Sequence, residues 1–257
     1  MKKIAVCLSG EMRLFEKEEI YQSLNKFLYP HKPDIFISTW SHLGHSMNHG
    51  YIDPMISKNV ESNLETRIIK VYKNIKNINI EEYDSWIKNI PTETYKKIYS
   101  DNFQPATVNS YTQIYKFWDS IRLKKQYEIS NGFTYDIVIR MRPDNLFVDN
   151  LDFDILPSTI YHINLPGPAF YPNRIYDIFF YGDSNSMDQL SDSYTDFLKL
   201  LEHQFNNGLC KRDCCRILFL QSIIKSLNVV STKNRPTDIY RHSSLEEYLK
   251  NFIIWGK

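Results

Sequence analysis

The first forty residues alternate a strand, a helix and a second strand, and this order constrains the fold more than any other feature. Residues 3–9 form a short apolar run closed by Gly10, a pattern typical of a buried strand that ends in a turn. Apolar residues at helical spacing predict a helix within 15–29, and residues 34–40 predict the next strand. This β-α-β order favours a parallel sheet with ligand chemistry at the carboxyl ends of its strands.

The same alternation continues along the chain. Further strands are predicted at 67–72, 135–141, 159–164, 176–181 and 228–232, and helices within 81–100 and at 107–130, 187–201, 217–227 and 244–252. Residues 41–63 and 166–174 lack periodicity and predict long loops, which are usually functional. Because no linker, repeat or low-complexity segment interrupts the pattern, we expect a single α/β domain over residues 1–257 with a mostly parallel sheet flanked by helices.

Composition and motifs exclude several classes of function. The 31 Lys+Arg balance 30 Asp+Glu, so no basic field predicts nucleic-acid binding. The chain has neither the Gly-rich dinucleotide fingerprint nor a Gly-Lys-Ser/Thr phosphate loop. No apolar run is long enough to span a bilayer, and the four cysteines do not form the framework of a secreted mini-domain. We therefore expect a cytoplasmic protein, with peripheral contact at the inner face of a membrane left open.

Two arginines leave one buried strand together. Within 135–144, Arg140 and Arg142 alternate along a β-branched strand and so share one face, while Pro143 ends the strand and Asp144 follows it. Arginine is rarely buried without an anionic partner. Two interpretations stay open: ion pairs within the protein, or recognition of a phosphate or sugar.

The cysteine-rich segment does not predict a zinc site. His203, Cys210, Cys214 and Cys215 fit no common Cys-x-x-Cys spacing, and adjacent cysteines rarely bind one ion together.

Several segments, in their order and spacing, resemble small nucleotide-sugar glycosyltransferases of GT-A type from bacterial surface-polysaccharide clusters and large viruses. They are residues 6–10 with Arg13, residues 34–40, the Arg-x-Arg-Pro-Asp strand end at 140–144, and residues 176–182. The resemblance spans roughly residues 3–183. It implies a Rossmann-related GT-A fold whose nucleotide-binding part covers about 1–150 and whose acceptor side covers about 151–257.

The resemblance also implies an activity: transfer of a sugar from a nucleoside-diphosphate donor to a glycan or lipid-linked acceptor. GT-A enzymes commonly hold Mn²⁺ or Mg²⁺ with Asp-x-Asp, whereas this chain has a single carboxylate there, Asp144, with His242 as a second candidate ligand. In a metal-free version, Arg13, Arg140 or Arg142 would neutralise the leaving diphosphate. The incomplete motif supports the alternative of a non-catalytic carbohydrate- or nucleotide-binding protein.

The remaining site residues follow from the same resemblance. Asp177 is the candidate base for the acceptor hydroxyl, with Asp183 and Asp188 in reserve. The residues expected to bind the nucleotide sugar are Ser9, Gly10, Arg13, Trp40, Gln113, Arg140 and Arg142. The donor sugar, the base, the acceptor, the stereochemistry and the oligomeric state are not predicted.

Overall fold

Strands and helices alternate over residues 4–81, and beyond that point helices and strands follow one another in groups. The computed structural model describes residues 2–44, 61–98, 105–148, 150, 153–163, 174–206, 214–232 and 237–239. Its elements are β1 (Ile4–Ser9), α1 (Glu18–Ser23), β2 (Asp34–Trp40), α2 (Leu64–Val71), β3 (Ile75–Glu81), α3 (Tyr83–Lys88), α4 (Thr92–Ile98), α5 (Pro105–Asn131), β4 (Ile137–Met141), β5 (Asn145–Phe147), β6 (Thr159–Ile163), β7 (Phe179–Gly182), α6 (Ser184–Ser191), α7 (Phe197–Asn206), α8 (Cys214–Ile224), β8 (Asn228–Thr232) and β9 (Thr237–Ile239). Helix α1 continues into a π-helical turn at Leu24–Leu28 and a 3-10 turn at Tyr29–His31.

In the described part of the chain, seven strands form one sheet in the order β3-β2-β1-β4-β7-β6-β8, and β5 pairs with β9 in a small second sheet. All neighbours in the large sheet are parallel except β7, which runs antiparallel to β4 and β6. The expected α/β architecture with a mostly parallel sheet is therefore confirmed. The strand order reverses between β1 and β4, and in open α/β sheets ligands bind at such a reversal, outside the carboxyl ends of the strands.

Both faces of the sheet are covered. Along β1, Val6 and Leu8 pack with Ile20 of α1, whereas Ala5 and Cys7 point to the other face and join the cluster that α5 packs against. Every residue of β1 and β4 is buried, as is expected for parallel strands covered by helices on both sides. Polar side chains at these strand ends therefore lie against a dry core and need partners.

Three predicted elements differ from the structure. Residues 67–72 were expected to form a strand, but Leu64 and Ile68 lie four residues apart and bury one side of α2. The third strand is Ile75–Glu81, whose Ile78 and Ile80 alternate with asparagines. Tertiary packing has overridden local β-propensity in α2.

The predicted strand 176–181 begins only at Phe179, so Asp177 lies in the turn before β7 and not at the start of the strand. The predicted helix 187–201 is interrupted between α6 and α7. There the hydroxyls of Ser191 and Thr195 donate to backbone carbonyls three residues earlier, a local bond that competes with a continuous helix.

Asp183 caps α6, and its replacement by Ala should lower the free energy of unfolding by about 1 kcal/mol. Its carboxylate accepts the Ser186 N–H at 2.8 Å and also the Ser158 N–H at 3.0 Å. Chemical denaturation measures the loss, with Asp183→Asn as the matched control because Asn is an equally good cap. Equal losses in both variants would contradict a capping role.

Candidate functional site

The carboxyl ends of β1 and β4 meet where the strand order reverses, and Arg140 joins them. Cys7 faces Arg140 in the register of the two strands, which brings the Arg140 guanidinium beside the end of β1. Its Nε donates to Ser9 Oγ at 2.9 Å. Arg140 is 1% exposed, and its Nη1 has no hydrogen-bond partner among the described residues. A cation without full hydrogen bonding therefore lies buried at the reversal point.

A turn directly after β4 holds Arg142 against Asp144. The Asn145 N–H donates to the Arg142 carbonyl at 3.2 Å, with Pro143 at the second position, which it favours in such turns. Arg142 Nε donates to Asp144 Oδ1 at 2.9 Å and Arg142 Nη2 to Oδ2 at 2.7 Å. This two-bond pairing is the strongest arrangement that arginine makes with a carboxylate.

Arg13 approaches the same carboxylate from the loop after β1. Its Nη1 lies 3.6 Å from Asp144 Oδ2, and its Nη2 lies 3.1 Å from Glu11 Oε2. Burial raises the pKa of Asp144, but Arg142 and Arg13 together bring it below its ordinary value. In Arg142, burial lowers the pKa while Asp144 raises it, and the net change is upward. Asp144 is thus an ionised carboxylate shared by two arginines.

Asp177 supplies a negative charge that interacts electrostatically with Arg140. Burial lowers the pKa of Arg140, and the carboxylate of Asp177 opposes that shift. Burial raises the pKa of Asp177, but the charges of Arg140 and Arg142 lower it by more, so the net change in its pKa is downward. Asp177 Oδ2 accepts a hydrogen bond from Gln113 Nε2 of α5, and Oδ1 accepts one from Cys215 Sγ. The structure therefore brings the predicted residues Gln113, Arg140, Arg142 and Asp177 into one cluster.

Two residues expected at the nucleotide make contacts within the protein. The Gly10 N–H donates to the Ser38 carbonyl at 3.2 Å, and Gly10 has a φ of 112°, a backbone conformation that favours glycine. Trp40 is buried against Tyr115 and Trp86, with the Lys116 ammonium 3.9 Å from its ring centroid. Trp40 therefore packs in an aromatic core, where its ring faces are already covered.

The surroundings of Asp144 do not fit a divalent cation. Both oxygens of its carboxylate accept from Arg142, and Arg13 adds a second positive charge at 3.6 Å. Mg²⁺ and Mn²⁺ require oxygen ligands and are repelled by guanidinium groups at that distance. His242, the other predicted ligand, lies outside the described residues.

The positions of two supporting residues were not predicted from the sequence. Glu11 pairs with Arg13, and the Tyr72 hydroxyl donates to the Pro143 carbonyl at 3.1 Å, fastening the Asp144 turn to the end of α2. Glu11 is two residues from Arg13, a local signal that could have identified it. Nothing in the local sequence connects Tyr72 with Pro143, because 71 residues separate them.

Comparison of the chain with family models and with curated proteins finds no match in either. Among the described residues, no helix combines the length and apolarity needed to cross a bilayer.

Proposed function

We propose that the protein is a glycosyltransferase of GT-A type that uses a nucleoside-diphosphate sugar and holds the diphosphate with arginines. One observation carries the proposal: Arg13, Arg140 and Arg142 converge where the strand order reverses, the position at which α/β sheets bind ligands. The resemblance of these segments to nucleotide-sugar glycosyltransferases supports the same assignment.

The chemistry of glycosyl transfer explains the need for cations here. As the bond to the anomeric carbon breaks, the nucleoside diphosphate leaves with increased negative charge. Fixed positive groups in a site with little water stabilise that charge without rearranging during the reaction. Arginine suits this task because its planar guanidinium binds phosphate oxygens with two parallel hydrogen bonds.

The three arginine side chains differ in exposure, and this difference suggests different roles toward the diphosphate. The side chains of Arg13 and Arg142 are 30% and 14% exposed, whereas Arg140 is buried. We infer that Arg13 and Arg142 contact the diphosphate, exchanging carboxylate for phosphate oxygens, while Arg140 adds positive potential from behind. Ser9 takes part through Arg140, since its hydroxyl accepts from that guanidinium.

Asp177 as the catalytic base remains a prediction. Its lowered pKa keeps it ionised, as a base must be before reaction, but makes it a weaker proton acceptor than a carboxylate with a pKa near neutrality. Both oxygens also accept hydrogen bonds from side chains. The proposed function therefore depends on the arginines and not on Asp177.

Thermal unfolding with UDP, GDP, CDP and CMP, each with Mn²⁺ or with EDTA, tests the proposal. We expect one nucleotide to raise the melting temperature equally with Mn²⁺ and with EDTA, because a divalent cation does not fit beside the arginines that surround Asp144. A ligand at about 100 times its dissociation constant adds about 2.7 kcal/mol, or several degrees for a chain of this size. A shift that requires Mn²⁺ would restore the metal interpretation of Asp144.

Turnover separates the enzyme from a non-catalytic binding protein. With the sugar donor of the nucleotide that shifts the melting temperature, we expect release of free nucleoside diphosphate, and faster release with acceptor glycan. Binding without any release would favour the carbohydrate- or nucleotide-binding alternative. If no nucleotide shifts the transition at saturation, the glycosyltransferase proposal is wrong.

A further inference from the structure

A carboxylate and two thiols converge beside the arginine cluster. Asp177 precedes β7, and Cys214 and Cys215 begin α8, and one ligand atom from each lies within 4.8 Å of the other two. Both cysteines are buried, and Cys215 Sγ lies 3.4 Å from Asp177 Oδ1. Among the described residues this is the group of metal-ligating side chains that geometry brings together.

One of these separations is close to that between neighbouring ligands of a tetrahedral ion. Zinc bonds of about 2.3 Å to sulfur and about 2.0–2.2 Å to carboxylate oxygen place neighbouring ligand atoms about 3.5–3.8 Å apart. The distance from Cys215 Sγ to Asp177 Oδ1 is already close to that range, so small side-chain adjustments would suffice.

Gln113 positions two of the three side chains. Its Nε2 donates to Asp177 Oδ2, and its Oε1 accepts from Cys214 Sγ at 3.1 Å. One amide on α5 therefore orients a carboxylate and a thiol from two other elements, as the outer partners of metal ligands do.

The charges of the surroundings favour an ion held by thiolates. Asp177 and two thiolates would carry three negative charges, of which a divalent cation neutralises two. The remaining negative charge would face Arg140, which interacts electrostatically with Asp177, Cys214 and Cys215. Arg140 is buried with an unpartnered Nη1 among the described residues, so additional negative charge there compensates a buried cation.

We propose that Asp177, Cys214 and Cys215 form a binding site for a thiophilic divalent cation such as Zn²⁺, with the fourth position left for water or a further side chain. The proposal does not rest on the glycosyltransferase assignment. It makes Asp177 a metal ligand and Gln113 a positioning residue. The sequence predicted no zinc site from His203, Cys210, Cys214 and Cys215, and the fold adds to Cys214 and Cys215 a carboxylate, Asp177, that lies far from them in the sequence.

Titration of the full-length, metal-depleted protein with Co²⁺ tests the site. We expect one equivalent to bind with a strong near-ultraviolet absorption from thiolate-to-cobalt charge transfer, and Zn²⁺ to abolish it by displacement. Cys214→Ser and Cys215→Ser should each weaken binding by at least about 10-fold, since loss even of an outer partner costs that much. Asp177→Asn should keep the thiolate absorption but bind more weakly.

Cys7→Ala is the matched control, because Cys7 is a buried thiol in β1 whose Sγ lies 3.7 Å from the Ser120 carbonyl. It should bind Co²⁺ as the unchanged protein does. A second readout needs no substitution: Zn²⁺ should protect Cys214 and Cys215 from alkylation, measured by mass spectrometry of peptides. Co²⁺ binding without thiolate absorption, or absorption unchanged in both serine variants, would overturn the proposal, as would alkylation unaffected by Zn²⁺.

Discussion

Replacing Arg13 with Met should reduce glycosyl transfer by about 100-fold or more, with little change in stability. The reduction follows because Arg13 is the most exposed cation of the cluster and is proposed to stabilise the leaving diphosphate, and removing one such donor typically costs 10²–10³-fold in rate. Stability should change little because the pairs of Arg13 with Glu11 and Asp144 are partly solvated. Donor turnover and the melting temperature, measured on the same preparation, check both parts.

Arg67→Met provides the matched control. Arg67, on α2, also pairs with two carboxylates, Glu16 and Glu61, and neither of them is a carboxylate that Arg13 contacts. The Arg67→Met substitution should leave donor turnover and the nucleotide-induced shift of the melting temperature unchanged. If the Arg13 and Arg67 variants have equal turnover, Arg13 does not act on the donor, and the arginines are better explained as ion pairs within the protein.

Replacing Asp144 with Ala should lower the free energy of unfolding by about 3–5 kcal/mol at neutral pH, because it leaves the largely buried Arg142 without its partner. The effect should depend on pH with a definite sign. The folded-state pKa of Asp144 is lowered, so its stabilisation is complete above the unfolded value of about 3.9 and is lost as pH falls through the lower folded value. The difference between the unchanged protein and the variant should therefore shrink below about pH 4.

Urea denaturation at pH 7, 5 and 3 measures this difference. Asp154→Ala is the control: Asp154 is exposed, so its replacement should change stability little at any of these pH values. Asp144→Asn provides a second variant of nearly the same shape if the alanine variant does not fold. A loss for Asp144→Asn that is small at pH 7, or that does not decrease in acid, would show that Asp144 is not the shared partner of the two arginines.

Strand and helix positions could be predicted wherever the hydrophobic period is long and regular. Strands β2 and β8 were predicted with their observed bounds, and α5 within two residues at its start and one at its end. The hydrophobic period does not decide between a strand and a helix where a short apolar run is compatible with both. The pattern of α2 is also that of a strand, and only its packing against the sheet, through Leu64 and Ile68, makes it a helix.

By itself the sequence determined which charged side chains lie at the carboxyl end of β4. A β-branched strand with Arg140 and Arg142 on one face, ended by Pro143, places cations and Asp144 at the edge of the sheet because side chains alternate along a strand. Only the tertiary structure decided which groups those cations meet. Strand order brings Ser9 to Arg140, and the packing of α5 and α8 brings Gln113 and Cys215 to Asp177. These contacts span 38 to 131 residues of sequence, and no local pattern encodes them, because burial in a shared core and not proximity along the chain sets them.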